Sequence, residues 1–244
     1  NGNWDMVIIA HSTFNRISMD AAREAAFIEE QLEEIEAAIR QEGGDIDKAK
    51  RDDPPTVKEL RKLLKRKRER LKKLADRSQD NAVTFESLGV DALLVDEAHT
   101  YKRGDFFTKM GNIRGLDHGA AQKSFDFMMK CRYVQEKTRG KNVYLATGTP
   151  VSNTIAEVWT LLRYARPELL KEYGVSQFDG FASLFGDTRV AIEPTETGEY
   201  KVIERFNKYS NGVQLINMWL SGADVILQED VPGWSDMVPK LKNG

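Results

Sequence analysis

Three short, unbroken apolar runs set the frame for this chain. They are Asp5-Met6-Val7-Ile8-Ile9-Ala10, Asp91-Ala92-Leu93-Leu94-Val95 and Asn142-Val143-Tyr144-Leu145-Ala146. Runs of this length without polar alternation suit strands buried on both faces, as in a parallel sheet covered by helices. Helical patterns lie between and after them, at about residues 122–136 and 154–166, the latter stopped by Pro167. Alternating strands and helices predict an α/β layer. The runs end at His11-Ser12-Thr13, at Asp96-Glu97 and at Thr147-Gly148-Thr149-Pro150. Open α/β sheets hold ligands at the carboxyl ends of their strands, so these three ends define the candidate site.

The chain between the first two runs is different. Residues 20–42 are mainly acidic, with Glu29, Glu30, Glu33, Glu34 and Glu36 close together, and residues 58–77 are strongly basic. Both carry a helical period: Ile28, Leu32, Ile35 and Ile39 share one face, as do Val57, Leu60, Leu64, Leu71 and Leu74. Gly43-Gly44 and Pro54-Pro55 break the helix between them. Two amphipathic helices of opposite charge predict an antiparallel coiled-coil hairpin over residues 18–79, with Lys67 in the seam. We expect this arm to project from the lobe, so that replacing it leaves the lobe folded. Its basic helix serves first as partner to the acidic one and as solvated surface, and a DNA-facing patch is the second reading.

Composition narrows the classes further. A chain of 244 residues can bury a sizeable core, and the mean hydropathy of -0.51 with no long apolar run gives no sign of a membrane span. Asn1-Gly2-Asn3-Trp4 is not a signal-peptide pattern. The missing initiator Met leads us to expect a piece of a longer polypeptide. Cys131 stands alone, and the three histidines show no ligand spacing, so neither a disulfide framework nor a structural zinc is expected. A reducing cytoplasm is the expected compartment. With a net charge of -2, any contact with nucleic acid has to come from local patches.

Asp96-Glu97-Ala98-His99 is the most informative stretch. Adjacent carboxylates closing a buried strand need a reason, because burying unpaired charge is costly. Nucleotide hydrolysis supplies one: Asp96 can hold hydrated Mg²⁺, and Glu97 can orient and deprotonate the attacking water. The same residues also suit a plain helix start, where acidic groups are favoured by the helix dipole. In Thr147-Gly148-Thr149-Pro150-Val151-Ser152-Asn153, Gly148 permits an unusual backbone angle. The hydroxyls and Asn153 can bond across to the carboxylate loop or cap the next helix. An ordinary strand-turn-helix connection accounts for these residues equally well.

The Asp-Glu-Ala-His box and the Thr-Gly-Thr-Pro loop, in this order, resemble motifs II and III of superfamily 2 helicases. Thr149 to Asn153, followed by Glu157-Val158-Trp159-Thr160-Leu161-Leu162, is similar to the Swi/Snf-type branch, whose members translocate on double-stranded DNA. Residues 5–14 resemble motif Ib, which in that family touches the DNA backbone. Phe85-Glu86-Ser87-Leu88-Gly89-Val90-Asp91, Thr108-Lys109-Met110, Phe178-Asp179-Gly180-Phe181-Ala182 and Arg205-Phe206-Asn207-Lys208 look like large helicase–methyltransferase polypeptides of phages and conjugative elements. The resemblance implies a parallel-sheet, RecA-like (P-loop NTPase) lobe, incomplete at its N-terminus, over residues 1–17 and 80–186. Residues 187–244 would form a mixed extension and linker towards a second RecA-like lobe in cis. ATP and Mg²⁺ are the implied cofactors, duplex DNA the partner, and a methyltransferase domain in cis a possible neighbour.

By the same resemblance Asp96 and Glu97 are catalytic, with Asp96 on the metal. Thr147, Gly148, Thr149, Ser152, Asn153 and His99 couple nucleotide state to DNA, and Ser12 and Thr13 touch phosphates. No stretch reads Gly-x-x-x-x-Gly-Lys-Ser/Thr. Family order puts that loop upstream of Asn1, so this chain alone is expected not to hydrolyse ATP. The competing class is a non-catalytic module that works through its coiled coil. Lys102 and Arg103 face phosphates or solvent in this reading. His11 is either near DNA or a hydrogen-bonded structural residue, and His118 has no role. Met128, Met129 and Cys131 are helix core. Beyond Pro167, Phe178, Phe181 and Phe185 precede a β-hairpin over 190–203, and the tail with Pro232, Gly233 and Pro239 reads as a linker.

Overall fold

The computed structural model describes residues 4–75, 83–104, 106, 108–110, 122–194 and 200–234. The expectations for His118 in the loop 111–119, for the end of the hairpin at 76–79 and for the Pro239 region lie outside these residues.

A single helical turn, α1 (His11–Phe14), leads into α2 (Ala21–Gln41). The Asp20 carboxylate caps α2, accepting from the amides of Ala22 and Arg23 at 3.0 and 3.2 Å. The chain reverses at Gly43 and Gly44 into α3 (Pro55–Ala75). A Cβ on Gly44 would lie 2.7 Å from Val57 and 2.9 Å from Ile39, so glycine is needed where the helices close. The seams meet as the periodicity predicts: Ile28, Leu32, Ile35, Ile39, Val57, Leu60, Leu64 and Leu74 are all buried. Contacts run antiparallel, with Arg70 on Glu24 at 2.7 Å, Lys67 donating to Gln31 at 2.7 Å, and Arg68 on Glu36 at 2.8 Å. Lys67 is buried yet hydrogen-bonded, so it can fix the register of the seam.

The hairpin does not stand clear of the rest. It lies along α4 (Gln122–Thr138), and Phe27 and Ile28 share one core with Phe125, Phe127, Met128 and Met129. Arg70 covers the Phe125 ring at 3.5 Å, and ion pairs Arg132–Glu30 and Arg23–Glu136 fasten α2 to α4. The expected projecting arm is therefore corrected. Phe27 widens the apolar stripe of α2 beyond what α3 can cover, and α4 covers the remainder.

Strands β1 (Leu93–Val95) and β2 (Val143–Leu145) pair in parallel, Leu93 beside Val143 and Val95 beside Leu145, with α4 as the crossover. This is the α/β arrangement the alternating pattern predicts. Its burial differs from expectation. Leu93 and Val143 face the core, but Leu94 is 74% and Tyr144 58% exposed, so one sheet face is bare. The run at 5–10 is not a strand either. It is irregular and unpaired among the described residues, and Met6, Val7, Ile8 and Ile9 are all exposed. An apolar run shows that a segment suits a sheet; only a neighbouring edge with free backbone groups makes it a strand.

A second core forms beyond β2. Helix α5 (Ile155–Ala165) is buried almost all round, and α6 (Pro167–Glu172) and α7 (Phe178–Phe185) pack against it. Trp159 is locked by its indole N–H on the Val175 carbonyl at 3.0 Å. Phe178, Phe181 and Phe185 are all inside this core, on one face of α7. The predicted hairpin follows as antiparallel β3 (Gly186–Pro194) and β4 (Tyr200–Tyr209), bulged at Asp187/Thr188, and then α8 (Gly212–Gly222). No helix among the described residues is long and apolar enough to cross a membrane.

Candidate functional site

The parallel pairing sets the two loops side by side. Val95 accepts from the Ala146 amide at 2.8 Å, and Ala98 donates to the Ala146 carbonyl at 2.9 Å. Asp96-Glu97 and Thr147-Gly148-Thr149 thus leave adjacent strands in the same direction. The turn at the carboxylates is tight. Glu97 sits at φ 50°, ψ 42°, a left-handed conformation unusual for a non-glycine residue, and its amide donates to Asp96 Oδ1 at 2.9 Å. A short 3-10 turn, Ala98–Tyr101, follows.

Both carboxylates are exposed. The burial cost that first singled them out therefore does not apply, and their interest rests on position instead. They lie at the carboxyl end of a parallel strand, free of buried partners. Hydrated Mg²⁺ fits such a donor set, because it needs only one or two carboxylates and keeps several waters. Three or more His, Cys, Asp or Glu grouped around one point are not found among the described residues.

His99 Nδ1 lies 3.0 Å from Glu97 Oε2 but without hydrogen-bond alignment. Among the described residues His99, given a coupling role above, makes no link to the Thr147 loop. Lys102 makes it instead. Its ammonium donates to Ser152 Oγ at 2.6 Å and to the Thr149 carbonyl at 3.2 Å, and lies 3.4 Å from Glu157 Oε2. The side chains of Lys102 and Glu157 are only 11% and 6% exposed, so the pair is well shielded from water. Glu157 also accepts from the backbone amides of Ser152 at 2.6 Å and Asn153 at 3.1 Å. Asn153 therefore does not cap α5 with its own oxygen; its amide group donates to Glu157 Oε1 at 3.3 Å. Thr147 Oγ1 accepts from the Thr149 amide at 3.1 Å, which shapes the loop locally. Gly148 departs from expectation, since its φ is not positive and a Cβ there would meet nothing within 4 Å.

Ser12 and Thr13 are exposed on α1. Their turn is anchored to the carboxylate segment by Tyr101, whose hydroxyl donates to Asn15 Oδ1 at 2.9 Å and whose ring stacks on His11 at 5.5 Å. His11 is thus a packed residue. Tyr101 is fully buried between His11 and Phe127, and its carbonyl accepts from the Tyr164 hydroxyl at 3.1 Å. The consecutive residues Tyr101 and Lys102 therefore reach the Ser12–Thr13 turn and the Thr149–Asn153 loop respectively. Sequence reasoning missed Tyr101 and Glu157 and left Lys102 undecided. Thr154-Ile155-Ala156-Glu157 carries the capping-box spacing that marks Glu157. A cavity of about 260 Å³ lies between the hairpin and α4–α6, lined among others by Lys67, Arg132 and Trp159, and none of its lining residues belongs to these loops.

Lys130 holds α1 from beneath. It is fully buried, donates to the Phe14 carbonyl at 2.7 Å and sits over the Phe14 ring at 4.2 Å. Burial lowers its pKa from 10.5 to about 8, against the attraction of Asp126. Between those two pH values the unfolded chain holds the proton that the folded chain has released. The penalty, ~3 kcal/mol, is therefore fully present below pH 8 and fades as pH rises. Urea unfolding of the wild type and Lys130→Met near pH 7 and near pH 10 should show the wild type gaining ~2–3 kcal/mol relative to the variant at the higher pH. An unchanged difference would mean that Lys130 keeps its ordinary pKa.

Comparison with known proteins places the chain among helicase-related proteins. The family described as "Probable helicase domain" matches residues 1–225, and the chain belongs to that family. It is also similar to the "Defense against restriction protein B" of Escherichia phage P1, 30% identical over 120 residues. That match covers 47% of this chain and only 5% of the phage protein's length. No solved structure matches.

Proposed function

We propose that this chain is part of the first RecA-like lobe of a superfamily 2, Swi/Snf-type translocase that hydrolyses ATP and moves on duplex DNA. The observation that carries the reading is the parallel β1/β2 pair. It delivers Asp96-Glu97 and the Thr147–Asn153 loop to one sheet end, where Lys102 ties them together. Asp96 would hold Mg²⁺, the metal supplying charge neutralisation on the phosphates, and Glu97 would orient and deprotonate water. Thr147, Gly148, Thr149, Ser152 and Asn153 would report nucleotide state to Ser12 and Thr13 on the DNA backbone. Lys102, rather than His99, is the better candidate for the joint between them. Residues 1–17 and 80–186 would make the lobe, 18–79 its helical insertion, and 187–244 the passage to a second lobe. The phosphate grip would come from outside residues 1–244, which by themselves are not expected to turn over ATP. The phage relative agrees with a mobile-element setting, and a methyltransferase domain would be the neighbour in cis.

The reading is tested in the full-length protein that carries this chain. Asp96→Ala should raise the KM for Mg·ATP, because the metal's carboxylate is gone. Thr149→Ala should leave basal hydrolysis near wild type while lowering its stimulation by duplex DNA. Wild-type metal dependence in Asp96→Ala would remove the metal assignment. Full DNA stimulation in Thr149→Ala would remove the coupling role and leave the nucleotide site standing.

A further inference from the structure

Apart from Lys58, which donates to the Arg51 carbonyl at 3.0 Å, the basic residues of α3 fall into two sets. Arg61, Arg68 and Arg70 turn inward to Asp53, Glu36 and Glu24, and Lys67 to Gln31. Lys62, Lys65, Arg66, Lys72 and Lys73 are all exposed. At 100° per residue these five fall within one arc of the helix, opposite the seam of Leu60, Leu64, Lys67 and Leu74. Lys65 lies 4.0 Å from Glu69, and no ion pair involves Lys62, Arg66, Lys72 or Lys73 among the described residues. Glu69 in the middle and the half-buried Glu59 at one end are the acids of this helix, so cations prevail. Glu29 and Glu33, also exposed, belong to α2, and the hairpin therefore has one cationic edge.

Pairing with α2 does not account for this outer row. Five cations along about 16 Å of rigid helix repel one another, and seating α3 against α2 does not require them. They fit a dense line of negative charge. Duplex DNA carries about one charge per 1.7 Å of axis, and lysine-rich rows gain affinity for it by releasing its condensed counterions. With a net charge of -2, attraction to DNA has to come from local patches, and such a row is one. Because α2 fastens the hairpin to α4, the row is held rigidly on the lobe.

We propose that the outer face of α3, through Lys62, Lys65, Arg66, Lys72 and Lys73, is a second contact with the phosphate backbone of duplex DNA, separate from Ser12 and Thr13. It rests on the nucleic-acid partner of the reading above and on none of its catalytic assignments. The test is binding of labelled duplex DNA to this chain by fluorescence anisotropy across a salt series. The comparison is with the combined variant Lys62→Gln, Arg66→Gln, Lys72→Gln and Lys73→Gln. All four positions are exposed, and an unchanged unfolding midpoint confirms that the fold is kept. The variant should bind at least ~10-fold more weakly at low salt, and the slope of log K against log salt should flatten by roughly 3.6, at about 0.9 for each of four phosphates. Arginine at the three lysine positions should keep both quantities. Equal affinity and slope in the glutamine variant would overturn the proposal while leaving DNA binding by the chain intact. Absence of duplex binding by the wild-type chain would overturn it at the root. Competition by polyglutamate as effective as by duplex DNA would point to an acidic protein instead, and single strands bound as tightly through the same row would remove the duplex assignment. Either of these two outcomes also overturns it.

Discussion

Glu97→Gln in the full-length protein should lower kcat for ATP hydrolysis by about 10²–10⁴-fold, the range spanned by loss of a general base. Binding of Mg·ATP should be little changed, because the amide keeps the size of the side chain and Asp96 still serves the metal. The local backbone favours a clean comparison. Glu97 already holds the left-handed conformation, and glutamine has the same steric demand there. The side chain is exposed, so no buried contact is lost. Single-turnover hydrolysis and nucleotide binding, measured side by side, separate the two effects. A variant that hydrolyses ATP at the wild-type rate would show that Glu97 is not the base.

The second large effect is on folding. Replacing the hairpin, residues 21–75, by a short Gly/Ser linker should abolish cooperative unfolding of the chain, contrary to what the charge pattern alone suggests. The ends lie close enough to join, since Glu24 and Arg70 are in contact. The excision strips Phe27 and Ile28 from Phe125, Phe127, Met128 and Met129, which share their core. Each fully buried side chain of this kind contributes about 1.5–3 kcal/mol, so several together rival the 5–15 kcal/mol of a whole domain. Phe27→Ala is the milder probe and should cost about 3–5 kcal/mol. A hairpin-less chain with a sharp unfolding transition would show that the hairpin is a separate unit after all.

How much of the molecule is legible in its sequence varies with the kind of signal. Periodicity locates α2, α3, α4 and α5 and even places Lys67 in the seam, because spacing along a helix is a local property. It does not show that Phe27 gives α2 a second partner, since which helix covers a stripe is settled only in three dimensions. Residues 5–10 and 91–95 are alike as apolar runs, yet only the second includes a paired strand. Pairing depends on a neighbouring edge, which no run carries within itself. In the site, the loops can be found from their positions after strands. The bond between them cannot, because Lys102 among 36 lysines and arginines has no distinguishing neighbourhood. Glu157 is within reach through the Thr-x-x-Glu spacing. Gly148 misleads, because a glycine after a strand suggests a left-handed turn and here the backbone does not use one.

The uncovered side of the β1–β2 pair bears on how this chain behaves at the bench. Leu94 and Tyr144 on that side, and Val7 and Ile8 on the irregular run at 5–10, give water several large apolar groups on a chain whose net charge is only -2. Weak mutual repulsion and open backbone groups favour molecules adding to one another edge to edge. Concentration should then limit handling of the isolated chain before temperature does, so that a preparation turns cloudy while every molecule in it is still folded.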